Sequence, residues 1–268
     1  MLIGALIVRI GILSKRKHMF TGELRKYLES MGHSINIYTR ENLQIDDNLL
    51  ENDFYILKSK QLMFLYAGFF LKSHNIPVFP DPEISYKQKN RIESHFLIKN
   101  AGLQAPNIFL GIKNIIKKKI KKKDYPIVVK PLMGSGSRHV YLINNPNELN
   151  FKKEKILYVE KYIEGKHILV YFIGDLVRAY EKLPFSDEHS SMRNIGVTKK
   201  INNIISRWKN KYNLQIGHLD IVIEKDKGII YIVDTGSFPE FSQWDINPKP
   251  PELIWNIILK SYKNNFDS

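Results

Sequence analysis

Cysteine is absent from all 268 residues. That excludes a disulfide framework and any thiol chemistry, and it suits a reducing, cytoplasmic setting. Long apolar runs are missing as well. The stretch MLIGALIVRIGIL is interrupted by Arg9, and it lacks a basic flank before it and a small-residue cleavage site after it. It therefore reads as a buried first strand, not as a signal peptide or a membrane span. Acidic residues are scarce, 27 against 41 basic ones, which leaves a formal net charge of +14. Such charge invites nucleic acid, yet the densest basic run, KNIIKKKIKKKD, has no interleaved aromatics and carries Ile115, Ile116 and Ile120 at helical spacing. A solvated amphipathic helix or loop is the expectation there, and nucleic acid is not the expected partner. No Gly-Lys-Ser/Thr precedes a helix, so a P-loop is excluded. The segment IVDTGSFP carries an Asp-Thr-Gly, but only once, and a pepsin-like protease needs two such carboxylates sharing a proton.

What is present is a globular pattern, 43% hydrophobic and 25% charged. ALIVRIGILS, a polar loop, LRKYLESMGHSINIYT and DFYILKS read as strand, helix, strand and strand. The helical KQLMFLYAGFFLKSHN and a short strand IPVF follow. A Pro-rich break, PDPE, places a boundary near residue 80. The next segment, SYKQKNRIESHFLIKNAG, predicts one helix. From YPIVVKP onward the chain turns to short strands with tight turns, including a hairpin at IGD, then a helix, two further strands and a last helix. The fold class is α/β followed by α+β.

Three clusters carry chemistry. In YPIVVKPLMGSGSRHVYLI a buried strand delivers Lys130, and Gly134, Ser135, Gly136 and Ser137 form a small-residue loop whose backbone donors suit phosphate oxygens. A plain Gly-Ser hairpin turn explains the loop equally well. In LYVEKYIEGKH an apolar strand runs into Glu160, Lys161, Tyr162, Ile163 and Glu164, which could offer backbone groups to an adenine edge, with His167 close by. An ordinary strand explains that cluster as readily. Asp220 in GHLDIVIE and Asp234 in IYIVDTG are acids on neighbouring apolar strands, a hard-oxygen pair suited to magnesium and nucleotide phosphates.

In this order over nearly the whole chain, these motifs resemble the ATP-grasp superfamily, in particular the RimK-like and glutathione synthetase-like carboxylate-amine ligases. The N-terminal IGILSKRKHMFTGELRKYLESMGHSINIY resembles the Rossmann-like domain preceding the ATP-grasp module in RimK-type ligases. NRIESHFLIKNAGLQAPN is similar to the helix that opens that module. The resemblance implies a first domain over 1–80 and an ATP-grasp domain over 81–268, split into 81–157 and 158–268. It implies that Arg91 and Lys130 hold the ATP phosphates under the Gly134–Ser137 loop, and that the Glu160–Ile163 backbone meets adenine. Glu164 and His167 would lie near the ribose, and Asp220 and Asp234 would ligate Mg2+. SSMRNIG matches an Arg-x-Asn-like segment, which gives Arg193 and Asn194 a place between phosphates and acceptor, assisted by Lys182. Two departures stand out. Arg91 replaces the usual Lys, and Gly236 replaces the Asn of the family's closing Glu/Asp-x-Asn, which leaves a second Mg2+ without its usual ligand.

The activity implied is ATP-dependent amide or peptide bond formation through an acylphosphate. Arg178, Lys182 and Arg193 point to an anionic small-molecule substrate such as glutamate. Two alternatives stay open: phosphoryl transfer to a hydroxyl, as in inositol phosphate kinases, and nucleotide binding without turnover. No membrane partner is expected, and a homodimer is compatible with the sequence.

Overall fold

Strand β1 (Arg9–Leu13) lies between β2 (Ser34–Tyr38) and β3 (Phe54–Leu57), and β4 (Val78–Phe79) extends the sheet beyond β3. All pairings are parallel, because each return is long enough to cross over: α1 (Met19–Ser30) links β1 to β2 and α2 (Leu62–Ser73) links β3 to β4. The structure, a computed structural model, describes residues 7–16, 19–134, 139–149, 156–184, 192–244 and 246–266. Every residue of β3 is buried, as a strand covered on both faces requires.

The single helix predicted after PDPE is two. Helix α3 (Pro82–Lys89) stops at Asn90, whose backbone is extended (φ −82°, ψ 117°), and α4 (Arg91–Asn100) starts immediately after it. The Asn90 side chain accepts from the Ile92 and Glu93 N–H groups, and Arg91 N–H donates to the Leu132 carbonyl. A capping side chain within the helical pattern restarts the helix in a new direction, and Arg91 sits at the corner.

A second sheet, antiparallel, comprises β5 (Ile108–Ile112), β6 (Ile127–Lys130), β7 (Tyr141–Ile143) and β8 (Ile156–Lys161) in the order β5-β8-β6-β7. Helix α5 (Lys113–Lys119) covers it with Ile116 inward and Ile115 outward, so the lysine run is indeed a solvated amphipathic helix. The third sheet contains β9 (Gly165–Ile173), β10 (Leu176–Lys182), β11 (Arg193–Ile195), β12 (Ile216–Glu224) and β13 (Ile230–Gly236), ordered β11-β10-β9-β12-β13. The expected hairpin turn at Gly174 and Asp175 joins β9 to β10, with Gly174 at φ 54°.

Helix α6 (Lys199–Tyr212) presses Ile201, Ile205 and Trp208 onto one face of this third sheet. The other face shares a core with β1, β3, α1 and helix α7 (Pro250–Phe266), in which Leu169 and Tyr171 pack with Ile10, Ile12, Phe20 and Trp255. Among the described residues no helix is long and apolar enough to cross a membrane.

Candidate active site

Side chains alternate along a strand, so β12 sends Leu219 and Ile221 toward α6 and presents His218, Asp220 and Val222 to a cleft on the opposite face. Simple alternation along β13 would aim Asp234 with Ile230 and Ile232 into the α6 core. A β-bulge prevents this. Ile221 pairs with Ile232, but Asp220 pairs with Asp234, so Val233 is the extra residue and Asp234 moves to the cleft face. Directly paired residues share a face, which sets the two carboxylates side by side. The Val233 carbonyl, displaced by the bulge, accepts a 2.8 Å hydrogen bond from Lys130 Nζ.

Lys130 therefore bridges two walls. Its ammonium also lies 2.5 Å from Glu160 Oε2, with both side chains under a tenth exposed. Glu160 Oε1 accepts from the Tyr158 hydroxyl at 2.8 Å. Arg91 donates from Nε to the Pro131 carbonyl at 2.9 Å and reaches Asp234 Oδ1 with Nη1 at 3.4 Å. Burial opposes ionisation of Asp234, but Arg91, Lys130, Lys60 and His218 outweigh it and hold the carboxyl at about 2. Lys182 Nζ donates to Asp220 Oδ2 at 2.9 Å, while Asp220 Oδ1 is buried without a donor. His167 lines the same cleft, and burial, seconded by the Lys182 charge, lowers its pKa.

The cleft, about 320 Å3, is also lined by Lys161, Tyr162 and Ile163. Of that backbone, Lys161 N–H donates to the Asn107 carbonyl and Tyr162 N–H to the Pro126 carbonyl. Ile163 N–H has no main-chain partner among the described residues. Glu160 contributes its side chain, as the buried counterion of Lys130.

Four expected residues stand outside the cleft lining. Glu164 is 69% exposed and pairs with Lys225 at 3.0 Å, away from the cleft walls. Arg193 pairs with Glu181 at 2.5 Å and is 74% exposed. It lies opposite Glu181 in the ladder, one residue out of phase with Lys182, and so belongs to the other face of the sheet. Arg178 is drawn over the Trp244 ring. Asn194, paired with Tyr180, shares the face of Lys182 but is exposed at the sheet edge. Gly134 sits beside Arg91: a Cβ there would lie 3.5 Å from Arg91 Nη2. Ser135, Gly136 and Ser137 fall outside the described residues.

The sequence reading missed Lys60 and His218, both of which line the cleft. Lys60 follows β3 in a loop whose Lys58 and Ser59 N–H groups donate to the Leu13 carbonyl. Burial pushes Lys60 down to about 8, with Asp234 opposing the shift and Lys89, Lys58 and Arg91 adding to it. His218 is pushed down to about 4, first by burial and then by Lys60, so it is neutral at pH 7, and its Nδ1 is buried without a partner. A neutral imidazole and a lysine in a short polar loop carry no local pattern that marks them in advance.

The paired carboxylates and the orphaned Asp220 Oδ1 fit a hard divalent cation such as Mg2+. Among the described residues no group of three or more acidic, histidine or cysteine side chains is arranged for a metal, so the protein's own acidic ligands at this point are the two carboxylates.

An ATP-grasp domain family model matches residues 88–198. The D-alanine–D-alanine ligase of Petrotoga mobilis is 31% identical over 218 residues, 68% of this chain and 70% of that protein. A RimK domain protein ATP-grasp from Sphaerobacter thermophilus superposes with a TM-score of 0.77 at 14% identity, over 94% of this chain and 99% of the other. The D-alanine–D-alanine ligase from Bacillus anthracis complexed with ATP gives a TM-score of 0.68 at 18% identity, over 97% and 99%. At such identities the two structures speak for the fold, and the Petrotoga relative speaks for the family. The chain belongs to the ATP-grasp family and is an ATP-dependent ligase of the carbon–nitrogen-bond-forming type.

Proposed function

We propose that the cleft holds ATP with its adenine against Ile163 N–H, its ribose near His167 and its phosphates between Lys130, Arg91 and the Asp220–Asp234 pair. The substrate is an anionic small-molecule carboxylate, with a glutamate-type acceptor suited to walls carrying Lys60, Lys130 and Lys182. The γ-phosphoryl group passes to a carboxylate oxygen and ADP departs. The amine nitrogen then attacks the acyl carbon, the C–O bond to phosphate breaks with its electron pair on phosphate, and the amine's extra proton passes to solvent.

Lys130 and Arg91 are anchored to main-chain carbonyls and do not reorganise as charge shifts, which is how fixed dipoles and charges lower such barriers. Asp220 and Asp234 would hold Mg2+, which offsets charge on the phosphates when bound. Lys182, and Asn194 beyond it, stand at the acceptor end, with the Gly134–Ser137 loop covering the phosphates. In this reading residues 1–80 form the domain preceding the ATP-grasp module, 81–157 and 158–268 are its two halves, and the protein works in the cytoplasm.

The observation that carries the proposal is the convergence of Lys130 on Val233, the residue beside Asp234. Incubation with ATP, a pool of amino-acid carboxylates and hydroxylamine tests it. Hydroxamate formation with release of ADP is the expected result. A phosphorylated alcohol without hydroxamate would overturn the carboxylate reading in favour of a kinase.

A further inference from the structure

Gly236 stands where the resemblance places a metal-binding Asn, and its surroundings crowd that position. A Cβ built on Gly236 would collide with His218 Cε1 and lie 2.6 Å from Lys60 Nζ. A side chain at this position would have to displace the His218 imidazole and the Lys60 ammonium. Register explains the imidazole, since His218 is the direct cross-strand partner of Gly236. The ammonium arrives from the first sheet, on the loop after β3.

That ammonium is unusual in its company. Lys58, two residues earlier, is held by Glu240 at 2.8 Å. Among the described residues Lys60 makes no hydrogen bond or ion pair, and it feels Lys89, Lys58 and Arg91 as neighbouring positive charges, opposed by Asp234. Cations gathered in a partly desolvated cleft are costly unless an anion joins them. The other acids of the cleft are already engaged, Asp220 by Lys182, Glu160 by Lys130 and Glu240 by Lys58.

Resting on the ATP-site reading above, we propose that Lys60 is a further phosphate-binding residue. Its ammonium, beside Asp234 and Gly236, supplies the positive charge that a second divalent cation would bring, so the loaded site takes one metal ion. A tethered cation in place of a diffusible one needs no ligand set of its own, in keeping with the two available carboxylates.

The test is the number of Mn2+ ions bound per chain in the presence of the non-hydrolysable analogue AMP-PNP, counted by electron paramagnetic resonance. One ion per wild-type chain is expected, and two would overturn this inference alone. No AMP-PNP binding at all would overturn the nucleotide-site reading together with it. Lys60→Met should weaken AMP-PNP binding roughly ten- to hundredfold, the range expected for losing a charged hydrogen bond, while AMP binding stays as in wild type. Lys60→Arg should restore most of the loss. Equal weakening of AMP and AMP-PNP would indicate a merely structural lysine and overturn the proposal. Thermal unfolding of both variants confirms that folded protein is compared.

Discussion

The two faces of the β9–β13 sheet are built from the same strands and could hardly differ more. On the α6 side, Ile168, Val170, Phe172, Leu219 and Ile221 pack with Trp208 into an apolar core, and the Glu181–Arg193 pair stands toward the β10–β11 edge of that face. One residue out of phase, His167, Lys182, His218, Asp220 and Asp234 line the cleft. The first face is held by dispersion and the hydrophobic effect, which tolerate substitution of similar volume. The second combines an apolar core around Leu169 and Tyr171 with charges that offset one another, Lys182 against Asp220 and Arg91 against Asp234. Parity of register keeps the two apart, and on β13 that parity is set by one inserted residue.

Deleting Val233 removes the bulge and with it the carbonyl that holds Lys130, while Asp234, then next in line after Ile232, keeps its place opposite Asp220 on the cleft face. Calorimetry should find AMP-PNP binding weakened roughly ten- to hundredfold, and denaturant unfolding should show a loss of about 1.5–3 kcal/mol, for the lost hydrogen bond to a charged group. Asp234→Asn leaves the geometry intact and removes one charge. Turnover is expected to fall about 100- to 1000-fold in steady-state kinetics, as when one preorganised electrostatic contact is lost.

On the apolar face, Trp208→Ala should lower stability by about 3–5 kcal/mol in urea titrations. AMP-PNP affinity should stay within about twofold, because the sheet lies between that cavity and the cleft. Acid sharpens the comparison more gently. Asp234 has a folded pKa depressed to about 2, so its contribution is fully present above its ordinary value of about 4 and is lost as pH falls through 2. Wild type should therefore lose more stability than Asp234→Asn between those two values in pH-jump unfolding. The smallest effect is expected at Arg193→Glu. The side chain lies on the far face with Glu181, so KM and kcat should be nearly unchanged, and a large rise in KM would place Arg193 at the acceptor after all.

Much of this was legible along the chain. Lys130 ends an apolar strand, and Asp220 and Asp234 interrupt apolar strands where an acid needs compensation, so each carried a local signal. The helix before Gly102 was legible as helix, but not its break, because Asn90 acts through a capping geometry that also depends on Leu132 and Met133. Glu164 and Arg193 looked functional by position, yet their carboxylate and guanidinium found Lys225 and Glu181 across strands that sequence spacing does not pair. Lys60 was invisible for the opposite reason: its neighbour at Gly236 lies 176 positions away.

By itself the sequence determined which segments become strands and helices, because hydrophobic period and turn residues are local properties. It also determined that a lysine and two acids would stand at strand positions unsuited to them. The tertiary structure alone decided which way those side chains face. Facing depends on the register between β12 and β13, and a single extra residue there reverses it. It also decided that an ammonium from the first sheet fills the space beside Gly236, since only packing brings distant segments within reach of one another.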